Sequence, residues 1–335
     1  LHARGVVDPV ILLGPRLRKV EPRCEGALQA AGMPYTAASL LRLEILAIID
    51  ILRADAVLTH SDPSAYGGKF RPRDTITLKA NKPTIFVQHG MVQAGLHYAG
   101  AKPVWDFHAN LMVLWRALPD PHAPLFVPPV AERTQVTGLI KTNRLAPAEK
   151  RDELRRDLGD WEQRLLICHN FGFESPLYPL SAQRIAFEQW AKIAEARPDT
   201  LFLLSSHRGK SHPENTAIVE ALIKDRPNIL LSERHAGIML MATINDVFGL
   251  VDKVITHPST VVLDAIYDNI PVGVFNAAQE ELACLPQTDT AEQIAAFLDD
   301  TDPLRHAKPI RTRYGEISSN LDIAAQAVEN HMLDL

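Results

Sequence analysis

The chain has 335 residues, 46% hydrophobic and 22% charged, with 35 Lys and Arg against 40 Asp and Glu. That length exceeds the roughly 250–300 residues at which a single core stops growing, so two domains are expected. A formal net charge of -5 excludes the broad basic surface that nucleic-acid binding needs.

Three distant cysteines, Cys24, Cys168 and Cys284, give neither a disulfide framework nor a zinc spacing, and they fit a reducing, cytoplasmic setting. The longest apolar stretch, 40–58, is interrupted by Arg42, Glu44, Asp50, Arg53 and Asp55. A membrane span needs about twenty mostly apolar residues, so this stretch reads as a buried amphipathic helix leading into a strand.

In chain order, residues 10–14 read as a strand closing at Gly14, followed by Arg16, Arg18 and Lys19. Helical spacing covers 37–51, and a strand follows at 56–59. Another strand, 83–87, ends at Gln88-His89-Gly90, and 111–114 and 135–137 complete the first set. Strands that alternate with helices imply a parallel sheet buried on both faces. The charged run 141–161 reads as a solvated helical connection, after which the pattern restarts with strands at 165–168, 201–204, 229–231, 254–255 and 272–275. The expected division is 1–145 and 146–317, with a last helix in 318–335 that packs back on the first domain.

Polar clusters fall at the carboxyl ends of these strands, where open parallel sheets bind ligands. After strand 254–255 come Thr256, His257, Pro258, Ser259 and Thr260 at a helix start, whose unpaired N–H groups and partial positive charge suit an anion. Asp264 follows one helical turn later and is placed to accept from sugar hydroxyls. Ser259 also suits a plain helix cap, and His257 suits either a phosphate or the next strand.

Ser206, His207, Arg208 and Lys210 follow strand 201–204. A helix start alone supplies about 0.3–2 kcal/mol, too little for a pyrophosphate, so this basic loop is its cationic partner. His89, at a strand end before Gly90, can accept a proton near neutral pH, or can simply cap its strand. Asp300-Thr301-Asp302 ends a helical run before Pro303 and reads as a turn, so no metal is expected. Dinucleotide and P-loop glycine patterns are absent, which weakens dehydrogenase and kinase readings.

The order of Gln88–Gly90, 136–141, 205–212 and 254–275 resembles GT-B glycosyltransferases, in particular the CDP-glycerol glycerophosphotransferase and the capsule and lipopolysaccharide (Kdo-type) group. The resemblance implies an α/β chain of two facing Rossmann-like domains, each with a mainly parallel sheet, the acceptor side first and the nucleotide-donor side second. It implies transfer from a nucleotide-sugar, or a CDP- or CMP-linked donor, to a glycan or lipid-linked acceptor in bacterial surface polysaccharide synthesis. Inverting, metal-independent chemistry without a cofactor is expected, in the cytoplasm and with peripheral contact at the inner membrane.

By that resemblance His89 is the base, with Gln88, Gly90 and Arg16 on the acceptor side. Ser206, His207, Arg208, Lys210, His257, Ser259 and Thr260 hold phosphate, and Asp264 reads the ribose. The family's Arg/Lys-x-His-Pro motif is split here between His207-Arg208 and His212-Pro213, and Asn269 stands where glycine more often precedes the Pro-Val strand. Two alternatives share the fold. One is a sugar-nucleotide 2-epimerase, which needs further carboxylates for proton removal, and the other is a non-catalytic nucleotide-binding module.

Overall fold

The structure, a computed structural model, describes residues 8–15, 18, 23–60, 72–93, 96–97, 107–118, 130–142, 148–169, 180–206, 213–232 and 244–334. The chain divides into two units. The first comprises Leu1–His89, Gln93–Ile140 and Gly315–Leu335, and the second comprises Gly90–Val92 and Lys141–Tyr314.

The first unit opens with β1 (Ile11–Leu13), α1 (Arg23–Ala30), β2 (Tyr35–Ala37) and α2 (Leu40–Arg53). It continues with β3 (Val57–Thr59), α3 (Pro72–Lys79), β4 (Thr84–Val87), β5 (Leu111–Leu114) and β6 (Thr134–Val136). Strands β3-β4-β5-β6 form one parallel sheet in that order, and β1-β2 pair separately, also in parallel.

The helix expected over 37–51 starts later, at Leu40, because Tyr35-Thr36-Ala37 is extended and pairs with Ile11-Leu12-Leu13. Tyrosine and threonine favour that pleated surface. Ser39 keeps an extended backbone (φ -63°, ψ 161°) as the cap between strand and helix. Burial on both faces explains why the central strands β4 and β5 are apolar without alternation. Phe86, Met112 and Leu114 meet Phe107 and Val130 on one side, and Ile85 and Val113 face the other.

The second unit holds α4 (Ala148–Leu158), β7 (Gln163–His169), α5 (Leu180–Ala196), β8 (Thr200–Ser206), α6 (Pro213–Ile223), β9 (Ile229–Leu231) and α7 (Ile244–Phe248). After these come β10 (Lys253–Thr256), α8 (Thr260–Tyr267), β11 (Val272–Val274), α9 (Ala291–Asp299) and α10 (Lys308–Tyr314). Within the run expected to be helical over 141–161, the described helix covers Ala148–Leu158, and residues 143–147 lie outside the described residues.

Five strands lie in the order β11-β10-β7-β8-β9, all parallel. Counted within the unit this is 5-4-1-2-3, the doubly wound Rossmann order read from the other edge. Trp190 and Phe187 of α5 pack with Leu165, Ile167, Phe202, Phe275 and Phe297 in its core. The chain ends in α11 (Ile317–Leu333), whose Ala324 and Val328 pack on Ile85 and Val113 of the first unit.

One buried cation ties the second sheet to its outer helix. Lys253 of β10 is 5% exposed and donates to the carbonyls of Phe297 (2.7 Å), Leu298 (2.7 Å) and Asp300 (3.0 Å) at the end of α9. Helix C-termini leave such carbonyls unpaired and favour positive charge. Burial lowers the proton affinity of Lys253, and Asp300, Asp299 and Asp252 oppose that effect. Lys253→Met should therefore strand several carbonyls and cost about 2–3 kcal/mol. A urea titration should show the midpoint falling with an unchanged m-value, and an unaltered midpoint would exclude this role.

Candidate functional site

In a parallel sheet with Rossmann order the crevice opens where the winding reverses, at the carboxyl ends of the two central strands. Here that point lies between β7 and β10. His169 ends β7, and His257 directly follows β10, its backbone N–H donating to the Cys168 carbonyl at 3.3 Å. Ser206, half-buried, ends β8 and sits in register beside His169.

The turn after β10 is held by its own hydroxyls. Thr256 Oγ1 donates to the His257 carbonyl (3.0 Å) and lies 3.2 Å from Ser259 Oγ. Ser259 caps α8, its Oγ accepting from Val261 N. Thr260 Oγ1 accepts from the backbone N–H of Met91 at 3.1 Å, so the short segment Gly90–Val92 is bound to the start of this helix. The expected capping geometry is thus present, and Ser259 and Thr260 both remain half-buried at the helix start.

Asp264 lies one turn into α8 and is 5% exposed. Both of its carboxylate oxygens are 2.5 Å from Lys141 Nζ. Lys141 is the basic residue of the Thr-Gly-Leu-Ile-Lys run after β6. Asn269 ends the helix region with left-handed φ 59°, the conformation that asparagine tolerates better than other side chains with a Cβ.

The imidazoles here are neutral. Burial lowers the pKa of His169 to about 4, and burial together with the neighbouring His169 lowers that of His257 to about 3. Around them stands an aromatic wall. His169 packs against Phe187 and Trp190, and His257 lies 4.0 Å from the Phe275 ring centre. His257 is therefore a neutral polar group at this edge, without the charge that a cationic phosphate ligand brings.

In the first unit, His89 follows β4 and keeps more than a third of its surface open. Enough protein surrounds the ring to lower its pKa, with His60 adding to the shift and a backbone hydrogen bond with His60 opposing it. Gln88 is 2% exposed, and its Oε1 accepts from Trp115 N at 2.8 Å, bracing the ends of β4 and β5. A Cβ at Gly90 would meet Thr260 Oγ1 at 3.7 Å, an ordinary contact, so close approach does not demand glycine there. Arg16, His207, Arg208 and Lys210 lie outside the described residues.

Asp300 accepts from Arg305 at 2.6 Å and from the Asp302 backbone N–H at 3.0 Å, the bonding of a turn. Among the described residues there is no group of three or more His, Cys, Asp or Glu placed to hold a metal. Also among them, no helix is long and apolar enough to cross a membrane.

The two units, each built on parallel sheet, make this a fold of the GT-B type. No family model and no curated protein matches the sequence. Solved structures do match in fold. The S. aureus MnaA–UDP structure is 14% identical, with 94% of each chain covered and a TM-score of 0.54. The wall teichoic acid polymerase TagF, soaked with CDPG, is 12% identical over 98% of this chain and 88% of its own, with a TM-score of 0.55. UDP-GlcNAc 2-epimerase from Neisseria meningitidis, bound to UDP-GlcNAc, is 11% identical over 96% and 99%, with a TM-score of 0.54. All three of these structural neighbours are enzymes of the GT-B fold.

Sequence reasoning passed over His60, His169 and the pairing of Lys141 with Asp264. The two histidines carry the same signal as His89, an imidazole directly after an apolar strand. The ion pair spans 123 positions and has no local signal.

The buried imidazoles make stability depend on pH. Above pH 6.5 they are neutral in both folded and unfolded chains. Below it the unfolded chain takes up protons that the folded chain refuses until about pH 4 for His169 and about pH 3 for His257. Stability should fall through that window by up to about 1.4 kcal/mol per pH unit for each. Comparing melts at pH 7 and pH 5, His169→Phe should lose about 2 kcal/mol less than the parent. Equal losses in both proteins would mean that His169 titrates normally.

Proposed function

We propose that the chain transfers a sugar, or a glycerophosphate-like group, from a nucleotide-activated donor to a glycan or lipid-linked acceptor. The observation that carries this reading is the Rossmann strand order of the second unit, which places a hydroxyl-lined helix start and Asp264 directly at the winding reversal. Ligands of open parallel sheets bind at that point. The nucleotide compounds named with the fold neighbours, UDP, UDP-GlcNAc and CDPG, are of the class such a site takes.

In this reading the second unit holds the donor. Ser259 and Thr260 at the start of α8, together with Ser206, receive phosphate oxygens. His207, Arg208 and Lys210 supply positive charge, and His257 offers a neutral ring nitrogen. Asp264 accepts from ribose hydroxyls beside Lys141.

His89 takes the proton of the acceptor hydroxyl while that oxygen bonds to the transferred group. The bond to the nucleotide phosphate breaks, and the phosphate leaves with the electron pair. Donors aimed at the leaving oxygen stabilise its charge. Those donors are backbone amides and the basic loop, so the reaction proceeds without metal or cofactor. Surface polysaccharide synthesis is the setting, in the cytoplasm at the inner face of the membrane.

The test is turnover of UDP-GlcNAc, CDP-glycerol and CMP-linked sugars with and without glycan acceptors, in the presence of EDTA. Nucleotide release that requires acceptor and survives EDTA is expected. Isomerisation of UDP-GlcNAc without acceptor would replace this reading with a 2-epimerase. Nucleotide binding without any turnover would leave a binding module.

Two variants assign the parts. His89→Ala should lower kcat by about 10²–10⁴ and leave nucleotide affinity within a few-fold. Because the pKa of His89 is lowered, the rate of the parent should fall on the acid side only below pH 6.5, as the base becomes protonated. Asp264→Asn should weaken nucleoside binding in folded protein, and unchanged affinity would remove Asp264 from the site.

A further inference from the structure

His60 and His89 end neighbouring parallel strands. Thr59 of β3 pairs with Phe86 of β4, so His60 is the next residue along and His89 stands just beyond the end of its own strand. Their ring centres are 5.2 Å apart and the planes meet at 82°, an edge-to-face arrangement. Gln88, next to His89, is turned to the Trp115 backbone. Among the described residues, His60 is the titratable group that acts on the His89 ring.

We propose that His60 is a positioning residue for His89, fixing the orientation of its ring and opposing a second proton on the pair. Two facing imidazoles at this distance do not readily carry charge together, since like charges disfavour one another's protonated form. The edge-to-face contact with His60 sets the plane of the His89 ring. A ring so held keeps its nitrogens in fixed directions, which is what a base acting on a single hydroxyl requires. The catalytic meaning of this pair rests on His89 being the base, and the coupling of the two rings does not.

Nuclear magnetic resonance of the histidine side chains tests the coupling without substrate. In His60→Phe the aromatic edge contact is kept and the second ionisable ring is removed. The His89 titration should then move to higher pH by about half a unit, the size expected of two charges about 5 Å apart in water. His60→Gln, which removes the ring altogether, should move it in the same direction. An unchanged His89 titration in both variants overturns the proposal.

Turnover separates the two claims. In His60→Phe the acid limb of kcat should move by the same amount, and nucleotide affinity should stay at the parental value. A moved titration with an unmoved acid limb would show that His89 is not the base, while the ring coupling stands. A loss of nucleotide affinity that accounts for the whole loss of rate would make His60 merely structural and overturn its positioning role.

Discussion

A sheet whose strands all run the same way forces every strand-to-helix turn onto one edge, and the functional chemistry of this chain depends on that constraint. In the second unit the ends of β8, β7, β10 and β11 bring Ser206, His169, His257 and Phe275 into one row. These residues lie up to 106 positions apart, and no local interaction gathers them. In the first unit the same constraint sets His60 beside His89. Parallel strands buried on both faces need continuous apolar sequence, so polar residues are pushed to the ends, where they can act.

Among the described residues, three buried charged groups meet an opposite charge or a set of carbonyls. Lys253 spends its ammonium on three carbonyls at the end of α9. Asp246, fully buried, lies 3.4 Å from Lys150 of α4. Asp264 is covered by Lys141 at both oxygens. An isolated charge in such places would cost several kcal/mol, so these pairs state where the sequence cannot be changed one residue at a time. The histidines follow the opposite rule. Burial holds His169 neutral, and burial together with His169 holds His257 neutral.

Most of the strands were legible in the sequence because they are short apolar runs with polar ends. Leu165–Cys168 and Leu201–Leu204 fall inside β7 and β8, each of which extends beyond the apolar run into Gln163, Thr200 and Ser206. The helix start at Ser259 was legible for a local reason, since a hydroxyl cap announces itself. β2 was not, because three residues of Tyr-Thr-Ala next to a strongly apolar helix carry too little pattern to separate strand from helix. Neither were the Lys141–Asp264 pair and the carbonyl partners of Lys253, since each joins elements far apart in the chain. Gln88 read as part of a functional triplet, and its buried bond to Trp115 N became visible only with the neighbouring strand in place.

The electrostatics of the second unit narrow which of its groups can supply positive charge to the proposed diphosphate. His257, nearest the turn, is held neutral by burial and by His169. Lys141 is already committed to Asp264. The start of α8 contributes about 0.3–2 kcal/mol toward an anion, and part of that start is occupied by Ser259 Oγ on Val261 N. A doubly charged pyrophosphate loses far more than this on leaving water. The remaining basic groups of the proposed seat are Arg208 and Lys210, which follow β8 in the sequence and lie outside the described residues. The proposed seat therefore divides its work, with α8 supplying direction through fixed N–H groups and the basic loop supplying charge.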